Sequence, residues 1–465
     1  MSERDMSWGD RLARIQAERS AIEAFDVDRP LDVGLLTPRQ RVHALLDEGS
    51  FLEIGAFSQS QHEGVQGAPA DGVITGFGTI RGRDVCILSE DPRALAVTDA
   101  QVAKAKRLRL LDQAVYKGLP VIYLADGSPT PYPQFTPGSG MMHLRLADQR
   151  SARDVADRTA PLISVILGVC RGQDASLAVA SDLIVATPAG KLSLTEQGAE
   201  GAPAVDVVAS DDANALAVAS AFLGLVPEST TARLTSVGRA AGPAGPLDDE
   251  DMTTEPGRLV AGLFDDDSAI VFGPRSGPVN AGIAAVEGVP VIFIITGGAQ
   301  PTSLTAADLI RIARATAISR RFSLPLVVVQ DCAGYGPDPD AMSVQLARHV
   351  LEDLRASAAI KLSIVAGRGF VLGDFVLGGR GAGYDLIWAW PSASIPVADV
   401  RAYDAGAAAP APDGPWAAAD IRIVDDVILP SETRRWLSRA LTVLAGSRAV
   451  PPTAYDRGAK LVDLA

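Results

Sequence analysis

Residues 162–194 read LISVILGVCRGQDASLAVASDLIVATPAGKLSL, and this stretch decides the fold. Its two apolar runs, 162–167 and 183–185, suit strands covered on both faces. Between them Gly168, Gly172 and the Ala/Ser-rich segment 174–181 predict a turn and a small-residue helix. The start of such a helix offers N–H groups without intrahelical acceptors and a partial positive charge, which is what a developing oxyanion requires.

The same design returns in the second half. Residues 362–365 repeat the first strand, GRGFVLGDFVLGGRGAGY (367–384) the turn and helix, and DLIWAWPSASIPV (385–397) answers DLIVATPAGKLSL (182–194). Upstream, GLPVIYLAD (118–126) is matched by SLPLVVVQD (323–331), and GRDVCILSED (82–91) by GVPVIFIITGG (288–298). Matched segments in one order predict two copies of one α/β unit, an N-terminal domain over 1–226 and a C-terminal domain over 259–465. The stretch 227–258, with Gly242, Pro243, Gly245, Pro246 and an acidic run, reads as a linker.

Composition narrows the function classes. At 465 residues the chain exceeds one typical core. Its formal charge of −14 opposes a nucleic-acid surface, because phosphate binding needs clustered Lys and Arg. A local basic group, Lys104, Lys106, Arg107 and Arg109 on a predicted helix over 100–116, reads either as a nucleotide-phosphate site or as a solvated face. Cys86, Cys170 and Cys332 are too dispersed for a zinc ribbon or disulfide framework, and no DxDxDG or HExxH spacing supports a metal. His62, His143 and His349 are scattered, and Ser128 and Ser176 lack a visible His/Asp partner for a nucleophilic triad. With a charged N-terminus and no apolar run of about 18 residues, no membrane span is expected and the cytoplasm is the expected compartment.

Along the chain, helices are expected over 8–23, from Thr37 (N-cap, with Pro38 as first helical residue) to near Gly49, over 306–321 and over 341–357. Strands are expected over 71–80, 84–89, 121–124 and 327–329. The four prolines of the loop 126–140 remove backbone donors, so it shapes a wall and does not cradle an anion. The tail 424–444 reads as a short strand, a Pro430 helix start and an amphipathic helix suited to a subunit boundary.

At LTPRQRVHALLDEGSFLEIGAF (36–57), DGVITGFGTIRGR (71–83), AWPSASIPV (389–397) and VDDVILPSETRRWLSRALTVL (424–444), the chain resembles the carboxyltransferase (β) subunits of biotin-dependent acyl-CoA carboxylases, the propionyl-CoA and acetyl-CoA carboxylase type. The resemblance implies an α/β fold of two duplicated crotonase-like (ClpP/crotonase superfamily) β-β-α domains. It implies a homo-oligomer, a trimer of dimers, with a biotin carboxylase or biotin carrier partner. No cofactor would be bound covalently: a coenzyme A thioester is the substrate, and carboxybiotin on the partner donates the carboxyl group.

Carried onto this sequence, the acyl oxyanion donors implied are the N–H groups of Gly172 and Gln173, with Asp174 beside them where the family has a small residue. The biotin-side donors implied are those of Leu372 and Gly373, in GFVLGD (369–374), where Val371 and Leu372 stand in place of two glycines. Asp126 begins a loop that has lost the family's glycine pair and arginine, whereas Asp331 and Gly334 keep part of a second family turn. Lys104 and Arg107 complete the expected substrate contacts. Asp174 reads alternatively as a helix cap. Three altered loops inside a preserved scaffold leave three readings open: an acyl-CoA carboxyltransferase; a biotin-independent decarboxylase or hydratase/lyase-like enzyme, with Glu196 as acid/base; and a non-catalytic scaffold of a carboxylase complex.

Overall fold

The computed structural model describes residues 6–28, 35–59, 69–95, 101–127, 155, 157–195, 205–232, 242–250, 254–273, 278–298, 303–332, 334–335, 339–369, 377–395 and 414–446. The chain divides into two units, Met1–Gly224 and Leu225–Ala465.

Each unit is built on one seven-stranded sheet. In the first, the spatial order is Leu52–Ile54, Val73–Ile80, Arg83–Glu90, Val121–Ala125, Leu162–Ile166, Leu183–Ala186 and Val207–Val208. In the second it is Ile270–Phe272, Val279–Val286, Val289–Thr296, Leu326–Gln330, Lys361–Val365, Leu386–Ala389 and Asp426–Val427. Both begin with antiparallel pairing and continue parallel. Every residue of Val121–Ala125, Leu162–Ile166, Leu326–Gln330 and Lys361–Val365 is buried, as strands covered on both faces require.

The duplication extends to individual hydrogen bonds. The Leu162 amide donates to Asp182 Oδ2 at 2.8 Å, and the Lys361 amide to Asp385 Oδ2 at 2.9 Å. One strand further, the amides of Ile184 and Ile387 donate to Asp206 and Asp425, each at 2.8 Å. The two-residue hairpin turns correspond as well. Arg81 and Gly82 have φ of 53° and 76°, Glu287 and Gly288 of 47° and 78°. Positive φ at both central positions matches the right-handed strand twist. Asp47 accepts from both amides of the first turn, Asp265 from both of the second. A carboxylate that satisfies two turn amides repays the strain of Arg81 and Glu287 in a conformation unfavourable for residues with a Cβ.

Local signals act as the residue types dictate. The helix Pro38–Leu45 starts at Thr37, whose Oγ1 accepts from the Gln40 amide at 3.3 Å while Gln40 Oε1 accepts from the Thr37 amide at 2.9 Å. Helices also occupy Trp8–Asp28, Gln101–Lys117, Ala306–Phe322 and Ala341–Ala356, close to their expected bounds. Within the stretch read as a linker, Leu247 is buried in the second unit's core and a helix begins at Pro256. The tail helix Thr433–Gly446 spends its apolar face on its own unit, because Leu437, Ala440 and Leu441 join that same core. Trp390 Nε1 anchors its start through Thr433 Oγ1 at 2.9 Å. Among the described residues, no helix is long and apolar enough to cross a membrane.

Candidate active site

The short strand Val169–Arg171 turns at Gly172, φ +58°, into the helix Gly172–Val179. That φ falls in the left-handed region, where a Cβ is costly, so glycine is the residue the turn calls for. Arg171, the N-cap residue, supplies no side-chain cap. The first amides, those of Gly172 and Gln173, therefore stand at the positive end of the helix dipole without help from a capping oxygen.

Beneath this turn lies an ionic network absent from the sequence reading. Arg107, on Gln101–Lys117, donates to both Glu90 and Asp174. Glu90 closes the strand Arg83–Glu90 and is fully buried. Its Oε1 accepts from Tyr123 Oη at 3.0 Å, its Oε2 from the Asp126 amide at 3.0 Å. Burial pushes Glu90 up to about 8, against the pull of Arg107. Burial likewise raises the neighbouring Cys170 thiol and Tyr123 phenol.

Asp174 thus sits in the first helical turn with its carboxylate on Arg107, and the cap reading does not hold. Arg107 faces inward to these two carboxylates. Lys106 Nζ meets the carbonyl oxygens of Ala70 (2.9 Å) and Val73, whereas Lys104 is half-buried and Arg109 exposed. The four cations do not form one patch.

Asp126 is held from the other side. Its Oδ2 accepts from Arg41 Nη1 at 2.5 Å, and Arg41 Nε reaches Asp212 at 2.9 Å. Arg41 is 1% exposed. Burial raises Asp126 above its ordinary range, opposed by Arg41. The carboxylate ties the end of one strand to the helix Pro38–Leu45.

The second unit treats the matching aspartate differently. Asp331 accepts from Thr254 Oγ1 at 2.6 Å, from the Arg368 amide at 2.9 Å and from Arg368 Nε at 2.8 Å. Burial works to raise it, but hydrogen bonds from Arg368 and Thr254 hold it below the usual carboxylate range. Gly334 is buried, and its amide donates to Cys332 Sγ at 3.3 Å. Leu372, Gly373 and Glu196, like most of the proline-bearing loop after Asp126, lie outside the described residues.

Comparing the two copies residue by residue reveals the network. Glu90 and Val73 pair as Thr296 and Val279 do, and the amide of the following aspartate is held by the Glu90 carboxylate in one unit, by Thr296 Oγ1 at 3.1 Å in the other. Arg107 is the seventh residue of Gln101–Lys117, as Ile312 is of Ala306–Phe322. A glutamate closing an apolar strand, paired with an arginine where the second copy has isoleucine, was the available signal.

Comparison with known proteins places this geometry. The carboxyl transferase domain model matches residues 31–205 and 195–402. The biotin-dependent acetyl-/propionyl-coenzyme A carboxylase beta5 subunit of Mycobacterium tuberculosis is 26% identical, over 90% of this chain and 89% of its own length. The methylmalonyl-CoA carboxyltransferase 12S subunit of Propionibacterium freudenreichii is 26% identical over 95% of each chain. A transcarboxylase 12S crystal structure with hydrolysed methylmalonyl-coenzyme A bound superposes with a TM-score of 0.80 at 22% identity, covering 96% of this chain and 98% of the other. With its doubled sheets, repeated carboxylate clips and a model match over most of its length, the chain belongs to the carboxyl transferase domain family.

Proposed function

We propose that the first unit binds the thioester of an acyl-CoA with its carbonyl oxygen on the amides of Gly172 and Gln173, and that the protein carboxylates the α-carbon. The observation that carries this reading is the left-handed turn at Gly172 opening directly into an eight-residue helix whose N-cap has no side-chain acceptor. Loss of the α-proton places negative charge on the thioester oxygen. Two backbone donors and the helix dipole stabilise that charge, and they do so without the reorganisation that water would need.

Carboxybiotin, presented by a partner subunit, supplies the carboxyl group. The names of the M. tuberculosis and P. freudenreichii relatives support a coenzyme A thioester as acceptor and a biotin-dependent partner. The 12S structure is described as a hexamer assembly, which supports a trimer of dimers here. Leu372 and Gly373 are proposed as the donors on the biotin side, and the cytoplasm as the compartment.

Purified protein is incubated with acyl-CoAs of graded chain length, with and without a carboxybiotin donor, and product mass is followed. Gain of one carboxyl group only when the donor is present is the expected result. Carboxyl loss or water addition without biotin would replace this reading with a biotin-independent one. Silence together with firm binding to a biotin carboxylase partner would leave an assembly role.

A further inference from the structure

We infer that Arg107 is a positioning residue for the first unit's acyl site, tying the first turn of the helix Gly172–Val179 to the sheet and offsetting the charge of Asp174 beside the Gly172 and Gln173 amides. This rests on the proposed acyl-CoA reading and deepens it. Arg107 bridges Asp174, in that first turn, to Glu90, at the end of the strand Arg83–Glu90. Glu90 is in turn held by Tyr123 and by the Asp126 amide. Through one guanidinium, the helix start is thus connected to the ends of two neighbouring strands.

In the second copy the corresponding strand and helix pack without this ion pair. Thr296 and Ile312, both fully buried, occupy the places of Glu90 and Arg107 on the same scaffold. The Arg107–Asp174 ion pair, at 13% and 17% exposure and held on the buried Glu90 carboxyl, therefore serves the first unit's own site. The electrostatics say how. An ionised Asp174 in the first turn favours the helix dipole but repels an oxyanion forming at the same amides. With Arg107 bound to it, the local charge is offset while the turn stays in place.

The test compares Arg107→Met, Arg107→Lys and the double variant Arg107→Met/Asp174→Asn in the full chain, reading kcat and KM for acyl-CoA carboxylation. Arg107→Met lowers kcat by about 100-fold, the scale of a misaligned oxyanion donor, with KM changed by no more than about threefold. Arg107→Lys keeps the charge and recovers part of the rate. Removing the opposed carboxylate as well, in the double variant, raises kcat about tenfold above Arg107→Met. A purely structural Arg107 would make the double variant no better than the single one, and that result, or an unchanged kcat in Arg107→Met, would overturn the inference.

Hydrogen exchange over 172–179 separates failure of this inference from failure of the acyl-CoA reading. If wild-type protein carboxylates no acyl-CoA, the reading fails, yet Arg107→Met must still accelerate exchange across that helix. Unchanged exchange would remove the positioning role independently of any activity.

Discussion

Two glycines test whether the duplicated scaffold carries unequal loads. A Cβ at Gly168 would lie 2.8 Å from Asp126 Cγ, and one at Gly367 2.7 Å from Asp331 Oδ1. In both units alanine drives an aspartate off its partners, an overpacking cost of about 2 kcal/mol. The consequences then differ. Asp126 is an acceptor for Arg41, whose side chain is 1% exposed, so its displacement leaves a buried donor without its acceptor at a further cost of about 2 kcal/mol. The partners of Asp331, Thr254 Oγ1 and the Arg368 amide and guanidinium, are only part-buried, the Arg368 side chain 34% exposed, and water takes over the lost contacts at little cost. Gly168→Ala should therefore destabilise its unit by about 2 kcal/mol more than Gly367→Ala does, roughly 30-fold in the unfolding constant. Trp388, Trp390 and Trp436 report urea unfolding of the second unit by fluorescence, and hydrogen exchange of Val121–Ala125 and Leu162–Ile166 reports the first. Equal losses, or a larger loss in the second unit, would refute the assignment of the Arg41 contact as the costlier one to break.

Glu90 makes stability depend on pH in a definite direction. A carboxyl raised from 4.5 to about 8 is stabilising when protonated, so its contribution is complete below about 4.5 and is lost as pH rises through about 8. Glu90→Gln should flatten the pH dependence of urea unfolding over that window, by no more than about 5 kcal/mol, and parallel curves for variant and wild type would count against it. Of the three buried cysteines, Cys86, pushed up to about 12, should resist alkylation at pH 8 by about a thousandfold relative to an unfolded thiol, Cys170 and Cys332, also raised by burial, should be slowed, and all three should react once urea is added. Native labelling at the free-thiol rate would contradict this.

What could be read from the sequence was what acts locally or repeats. Thr37 with Pro38, the apolar five-residue strands and the paired GLPVIYLAD and SLPLVVVQD segments are each decided within a few residues, and the structure follows them. Charge partners were another matter. Arg107 on a helix face looks the same whether it awaits a phosphate or turns inward, and only the packing of Gln101–Lys117 against the sheet decides. Arg41 and Asp126 lie far apart in sequence, so nothing local marks the pair, and Asp126 is legible only from the family loop that it begins. Asp174 suited a cap by residue type, but the turn at Gly172 puts Arg171 in the cap position.

The matching aspartates Asp126 and Asp331 show how one scaffold position acquires opposite acid–base behaviour, and this yields a last expectation. Asp331 receives an amide, a hydroxyl and a guanidinium that water can reach, so its charged form is favoured in the fold. Asp126 receives a guanidinium that is itself buried, and desolvation prevails. Signs follow from linkage. A lowered Asp331 contributes stability above its ordinary value of 3.8 that is lost as pH falls through its folded value. A raised Asp126 contributes stability below 3.8 that is lost as pH rises through its folded value. The cost of Asp331→Asn should grow as pH rises toward 3.8, and the cost of Asp126→Asn should shrink as pH rises above 3.8, each read in its own unit by fluorescence or hydrogen exchange. Because the two residues share a place in the fold, slopes of the same sign could not be blamed on topology. They would mean that burial of the partner arginine, together with the amide and hydroxyl donors of Asp331, does not control how this position titrates.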